Sequence, residues 1–269
     1  MSIEDVGDPE IAQWDSVFTR RLRDVLGPLI SLWFRSEVRG LDLFPPSGPA
    51  LVVSNHSGGM MTPDVLVFAR EFYDKFGYQR PIYTVAHYGL FIGPQSKWLV
   101  RAGVVHASRE KAANALGAGA VVLTFPGGDY DAYRPTLRAN VIDFNGRTGY
   151  VRTAIDAKVP IVPIVSIGAQ ETQLFLSRGH WLAKRLGLKR IRMEIVPVSF
   201  GFPFGFTVMA LPPNLPLPSK IVTEVLEPID IVARFGKEPD ISEVDEHVRS
   251  AMQTALNRLA RERRLPVLG

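Results

Sequence analysis

The chain reads as an α/β protein: a single domain with a mixed, largely parallel central sheet flanked by helices, and an N-terminal amphipathic helix ahead of it. Three observations lead there. Short β-type runs at 50–54, 82–86, 103–105, 120–125 and 159–167 alternate with helical segments, the pattern of parallel pairs covered by helices. The runs at 120–125 and 159–167 are apolar enough to be buried strands. A length of 269 residues with 46% apolar content suffices for one large α/β domain with a sizeable core.

The segment from about Ile11 to Val38 has helical periodicity, with Trp14, Phe18, Leu22, Val25, Leu29 and Trp33 on one face. Pro28 is expected to kink or divide it. Two readings fit: an interfacial membrane helix, or a helix packed on its own domain. Arg20, Arg21, Arg23 and Asp24 interrupt the apolar run, so it is not a spanning helix. Residues 1–40 are therefore assigned to an N-terminal membrane-associating region and 41–269 to the main domain.

Pro45 to Pro49 forms a stiff lead into the strand at 50–54. Thr62 at N-cap and Pro63 at the first helical position start a helix that stops near Gly77. Ser108 caps a helix through Leu116, and 149–158 is helical. Ile195 to Ser219 carries no charge, but prolines 197, 203, 212, 213, 216 and 218 break it repeatedly. It is expected to be irregular backbone or short strands, with Phe200, Phe202, Phe204, Phe206 and Met209 forming either a lipid-facing patch or ordinary core. A strand at 221–225 and a helix from Ser242 to Arg264 close the chain. No repeat or low-complexity linker divides it.

Composition narrows the chemistry. There is no cysteine, hence no disulfide, thiolate metal site or cysteine nucleophile. The five histidines form no His-Glu-x-x-His pair, and no metal site is expected. Glu4, Asp5, Asp8 and Glu10 are unlike a secretory leader. The net charge is +4 and the sequence pI about 9.4, a mild excess suited to anionic lipid surfaces, phosphorylated substrates or nucleic acid.

The stretch from Ser54 to Asp64, Ser-Asn-His-Ser-Gly-Gly-Met-Met-Thr-Pro-Asp, delivers His56 from a strand into a glycine-rich turn and brings an acid back on a helix. Imidazole titrates near neutrality, and a carboxylate on its other nitrogen would orient it. The residues alone also fit a strand-end histidine beside a first-turn helix acid.

Four blocks in order make the chain resemble the phospholipid/glycerol acyltransferases. They are Asn55-His56 with Asp64, Gly103 with Arg109, Phe125-Pro126-Gly127-Gly128-Asp129, and Val159-Pro160-Ile161-Val162-Pro163. The resemblance covers roughly residues 50–170. It departs from the family in two places: Asp64 lies three residues further from His56, and Gly127 stands where the family has glutamate. Were 57–64 all helical, about 12 Å of axial rise would separate the pair, so Ser57-Gly58-Gly59 must turn. The Pro-Gly-Gly form, with Gly149 to Ala154, is similar to the branch containing neutral-lipid and long-chain-alcohol enzymes.

The resemblance implies transfer of a fatty acyl group from a thioester donor to a glycerolipid hydroxyl. His56 would act as general base and Asp64 as its support. Substrate-binding positions would be Asn55, Ser57, Gly58, Gly59, Arg109, Gly127, Gly128, Asp129 and Arg134. Arg109 would take a phosphate, and the amides of Ser57-Gly58-Gly59 or of Gly127-Gly128 would hold the oxyanion. Any acceptor-phosphate or acidic role lost at Gly127 would pass to Asp129, Asp131 or Arg134, or be absent. No cofactor is implied, acyl-CoA being a co-substrate. The implied partners are acyl-CoA or an acyl-carrier protein, a lysophospholipid or other glycerolipid, and a membrane surface, with no nucleic acid. The implied location is peripheral, on the cytoplasmic side of a membrane. An α/β-hydrolase would need a Gly-x-Ser-x-Gly elbow, which is absent. Gly117-Ala118-Gly119 follows a helix instead of a strand, the reverse of dinucleotide order. A lipid-binding protein without turnover stays open as the non-enzyme reading.

Overall fold

Asp15 opens the first helix by accepting a hydrogen bond from the Phe18 N–H at 2.9 Å, and α1 runs Ser16–Phe34. Residues 8–59, 62–191, 194–209, 214–265 and 267–268 are described by this computed structural model. Glu4 and Asp5, Met60 and Met61 of the glycine-rich stretch, and Pro212 and Pro213 lie outside the described residues. Pro28 sits inside α1 without dividing it. Its ring removes one donor, and both Pro28 and Asp24, one turn back, are exposed to water. The helix ends earlier than its periodicity suggested. Arg35 turns left-handed at φ 42°, and residues Glu37–Arg39 form strand β1.

The main sheet follows as β2 (Ala50–Ser54), β3 (Ile82–Ala86), β4 (Val104–His106), β5 (Val121–Thr124) and β6 (Ile161–Ile167). Between them lie α2 (Pro63–Phe76), α3 (Ser96–Arg101), α4 (Arg109–Gly117), α5 (Gly128–Ala132) and α6 (Gly149–Ala157). The strand order is β1-β10-β6-β2-β5-β3-β4, where β10 is Val222–Val225. β6, β2, β5, β3 and β4 run parallel; β10 is antiparallel to β6, and β1 parallels β10. All five residues of β2 are buried. Leu51 and Val53 point into one cluster with Leu116, Val151 and Met252, and Ala50 and Val52 into another with Phe44, Phe68 and Phe72. The alternation follows from the period of two along a strand. Each fully buried Val, Leu or Phe contributes about 1.5–3 kcal/mol of transfer free energy, so β2 is anchored from both layers.

The helix α9 (Ile241–Glu262) covers the first layer together with α4 and α6. The second layer is α2, with α1 lying against it. At their crossing a Cβ on Gly27 would stand 3.2 Å from the Arg70 side chain. Arg70 bonds Ser31, and Arg23 pairs with Asp74.

The proline-rich run supplies β8 (Val198–Gly201) and β9 (Gly205–Val208), which with β7 (Leu174–Ser177) form a second, antiparallel sheet. Phe175, Ser199 and Thr207 face inward, while Leu174, Leu176, Phe200, Phe206 and Val208 are exposed on the opposite face. The two short helices α7 (His180–Arg185) and α8 (Ile231–Phe235) complete the described strands and α-helices. Among the described residues no helix is long and apolar enough to cross a membrane.

Candidate functional site

The parallel strands all end at one edge of the sheet, and the chain leaves β2 there. Asn55 is buried, and its side-chain amide both donates to the Ser166 carbonyl and accepts from the Ser166 N–H, each at 2.8 Å. That double bond to β6 fixes the strand end just before His56. Asn55, expected at the substrate, thus acts as a clasp between strands.

His56 presents a ring that is 15% exposed and lies on Phe125, with centroids 4.4 Å apart. Its Nδ1 is 3.5 Å from Asp64 Oδ2 and has no hydrogen-bond partner among the described residues. This is just beyond hydrogen-bond range, in the regime where unliganded catalytic pairs commonly sit. Asp64 is buried and already anchored: Oδ2 accepts from the Ser57 N–H at 3.1 Å, and Oδ1 from the Val65 N–H at 3.0 Å.

The long spacing between His56 and Asp64 is closed by a turn. Gly58 and Gly59 both take positive φ, at 79° and 62°. A Cβ at Gly58 would stand 2.7 Å from the Pro63 ring, and one at Gly59 2.7 Å from the Phe175 ring. No other residue fits either position. Helix α2 then begins at Pro63, as expected, but Thr62 is left-handed and its hydroxyl makes no cap. Asp64 supplies the first-turn acid that a helix N-terminus favours.

Behind the ring stands a group that periodicity and spacing did not single out. Asp131 on α5 has no exposed surface, and its Oδ2 accepts the His56 backbone N–H at 2.5 Å. Its Oδ1 pairs with Arg134, itself buried, which also donates to the Val141 carbonyl. Burial pushes the Asp131 carboxyl upward, and the Arg134 charge opposes that. Arg134, expected to bind substrate, is held in this internal pair. Gln170 joins the loop from the other side, accepting from the Gly58 N–H at 3.4 Å and donating to the Arg134 carbonyl. Asp131 was one of three residues expected to take over the acceptor-phosphate or acidic role lost at Gly127; Gln170 had no local signal, because it reaches the site only through the β6 turn.

The oxyanion expectation needs correcting in part. The Ser57 N–H goes to Asp64, the Gly58 N–H to Gln170, and the Gly128 N–H to the Phe125 carbonyl at 2.9 Å. These three donors are already engaged. Around the Pro-Gly-Gly turn, Arg147 donates to the Gly127 carbonyl at 2.9 Å and to Asp129 at 3.1 Å. Arg109, at the start of α4, pairs with Asp156 of α6 in a solvent-exposed bridge of 2.9 Å, and among the described residues no hydrogen bond ties it to the His56 group. What the structure assembles is an imidazole with one nitrogen toward a buried carboxylate and its backbone held from behind. That arrangement can take a proton from a hydroxyl.

Residues 35–167 match the family described as Acyltransferase. An uncharacterized protein of Mycobacterium leprae is 31% identical over 249 residues, covering 90% of this chain and 65% of that protein. One of Mycobacterium tuberculosis is 31% identical over 251 residues, covering 90% of this chain and 66% of that protein. The chain thus spans just under two thirds of the length of these relatives. The Bos taurus protein described as "DGAT1/2-independent enzyme synthesizing storage lipids" is 29% identical over 197 residues, 73% of this chain and 57% of its own length. The crystal structure of the 1-acyl-sn-glycerophosphate (LPA) acyltransferase from Thermotoga maritima shares the fold, with a TM-score of 0.59 at 17% identity, over 94% of this chain and 83% of that one. Residues 35–167, which carry six of the seven strands of the main sheet and the His56 turn, are thus similar to the acyltransferase family.

Proposed function

We propose that the protein moves a fatty acyl group from a thioester, acyl-CoA or an acyl-carrier protein, to a hydroxyl of a glycerolipid. The single observation that carries this reading is the His56 ring, open on one side and 3.5 Å from the buried Asp64 on the other. His56 accepts the hydroxyl proton as the oxygen attacks the thioester carbonyl. The tetrahedral adduct expels the thiolate, which takes the proton back from His56, leaving ester and free thiol. Asp64 orients the ring and supports the transient imidazolium. The reading needs no covalent intermediate and no cofactor.

A neutral acceptor, an acylglycerol or alcohol, is the second reading. It is favoured by Gly127 in the third block, by the engagement of Arg109 with Asp156, and by the likeness to the bovine storage-lipid protein. A lysophospholipid acceptor is favoured by the positive net charge. Transfer of radiolabel from acyl-CoA to a panel of lysophospholipids, acylglycerols and long-chain alcohols separates them. Product is expected from at least one acceptor, and none from His56→Ala. A full panel without product, in the presence of vesicles, would leave a lipid-binding protein in its place.

We place the protein at a membrane surface, on its cytoplasmic side. The support is an apolar surface in two parts. On α1, Val25, Leu29, Leu32 and Trp33 are exposed, Leu32 by 80%. On the second sheet and the turn between β8 and β9, Phe200, Phe202, Phe204 and Phe206 are exposed, Phe206 by 72%. The Trp33 indole N–H donates to the Pro216 carbonyl at 3.0 Å, and the Leu215 N–H to the Phe202 carbonyl at 2.8 Å, so the two parts are stitched together. An open groove of ≈ 520 Å³ beside α1 is lined by Leu29, Leu32, Trp33, Pro218 and Leu268 together with the charged Arg35.

A further inference from the structure

We propose that Asp131 is a positioning residue for His56: a buried carboxylate that holds the His56 backbone amide and thereby sets the ring against Asp64 and Phe125. This rests on the reading of His56 as the base. Four observations carry it. Asp131 is fully buried, and one of its oxygens accepts the His56 N–H at 2.5 Å, a charge-assisted bond. The other oxygen is occupied by Arg134, which the Val141 carbonyl also holds, so the carboxylate cannot swing away. The same arginine, through its carbonyl and Gln170, reaches the Gly58 N–H, so the loop is gripped at two successive corners. Asp64 takes the amide between them, that of Ser57. Three consecutive amides, of residues 56, 57 and 58, are therefore committed to fixed side chains.

The fourth observation explains the glycine in the third block. Gly127 has φ −66°, which any residue adopts, so its backbone does not require glycine. Space does. A Cβ there would lie 2.4 Å from Asp131 Cβ and 3.0 Å from Asp131 Cγ. A side chain at 127 and the carboxylate of 131 exclude one another. The acid of this block is delivered one helical turn later, from α5. A buried ion pair adds little net stability by comparison with an apolar pair of similar volume. Its placement against the backbone of the proposed base accords with a positional role.

The test uses the full chain labelled with ¹⁵N-histidine, whose five histidines give five backbone amide signals. The His56 signal is identified by its loss in His56→Ala. We expect it shifted downfield and slow to exchange. In Asp131→Asn, which keeps a neutral acceptor, it should move upfield, and in Asp131→Ala further. In parallel, kcat should fall about 10- to 100-fold in Asp131→Ala, less in Asp131→Asn, with KM for donor and acceptor within twofold of the wild type. The pair Gly127→Glu with Asp131→Gly should recover part of the kcat lost in Asp131→Gly alone. If Asp131→Ala does not fold for want of an Arg134 partner, Asp131→Asn combined with Arg134→Gln carries the same two readouts. An unmoved His56 amide, or wild-type kcat in a folded Asp131 variant alongside an inactive His56→Ala, overturns the proposal and leaves the base reading standing. Full activity in His56→Ala instead removes the base reading, while the amide signal still decides whether Asp131 holds the loop.

Discussion

His56 works, on this reading, through what surrounds it. Its ring lies on Phe125, one nitrogen faces a carboxylate that two backbone amides already hold, and the other edge is open. Because Asp64 is anchored, Asp64→Asn should keep the fold, since an amide oxygen can still accept from Ser57 or Val65. It should nevertheless lower kcat by about 10²-fold or more, because the support for the imidazolium is lost. Steady-state kinetics with an unchanged thermal midpoint is the check; an equal loss of stability would make Asp64 structural only. Arg109 gives a second residue-scale prediction. Its bridge to Asp156 is exposed, so Arg109→Ala should change stability by less than about 1 kcal/mol. If the acceptor carries a phosphate that Arg109 binds, the acceptor KM rises and Arg109→Lys rescues poorly, because the planar fork is lost. A neutral acceptor leaves KM where it was.

The element that matters most beyond the site is α1. Its buried face is narrow, with Thr19, Gly27 and Phe34, and a second apolar face is left in water. Covering Val25, Leu29, Leu32 and Trp33 with lipid would gain about 1.5–3 kcal/mol for each fully buried side chain. The basic residues contribute less than their number suggests. Arg23 is paired with Asp24 and Asp74, and Arg20 lies over the Tyr78 ring at 4.9 Å. The full chain should therefore float with liposomes and stay bound at high salt, while Leu29→Glu with Leu32→Glu should release it. Removal of residues 1–40 would disturb more than an anchor, since β1 belongs to the main sheet and Ile11 to the core. Retention of the double variant on vesicles would show that α1 is not the anchor and would point to the phenylalanines of the second sheet.

At the scale of the whole molecule, the segment around Glu10 is tied by charges to the edge of the main sheet at β4 and to α4. Glu10 accepts from the His106 N–H at 3.0 Å, contacts the His106 ring at 2.7 Å and pairs with Lys111 at 3.0 Å. Burial works to raise the Glu10 carboxyl, but the bonds from His106 and Lys111 outweigh it and hold it below its ordinary 4.5. A depressed acid stabilises the fold above its unfolded value, and that stability is lost as pH falls through the folded one. Wild type should therefore lose stability below about pH 4.5, and Glu10→Gln should be less stable at neutral pH and show a shallower acid loss. Denaturant midpoints measured from neutral to acidic pH decide it; parallel curves would discount the tether.

Local chemistry along the chain was enough for much of this. Strands β2, β3, β5 and β6, the starts of α2 and α4 and the long α9 were legible because each has its own signal: a β-branched run, a proline at the first turn, a serine cap, an apolar stripe. So was the need for a turn at Gly58 and Gly59, since no helix could bring Asp64 back to His56. Contacts between distant segments had no such trace. β1 takes its conformation from pairing with β10, whose residues come nearly two hundred positions later. The clasp of Asn55 on Ser166, the grip of Asp131 on the His56 amide and the reach of Gln170 to Gly58 each join partners that only the sheet order brings together. The outward apolar face of α1 is of the same kind. Periodicity marks a stripe as apolar, but which stripe α2 covers depends on where Gly27 allows the two helices to touch.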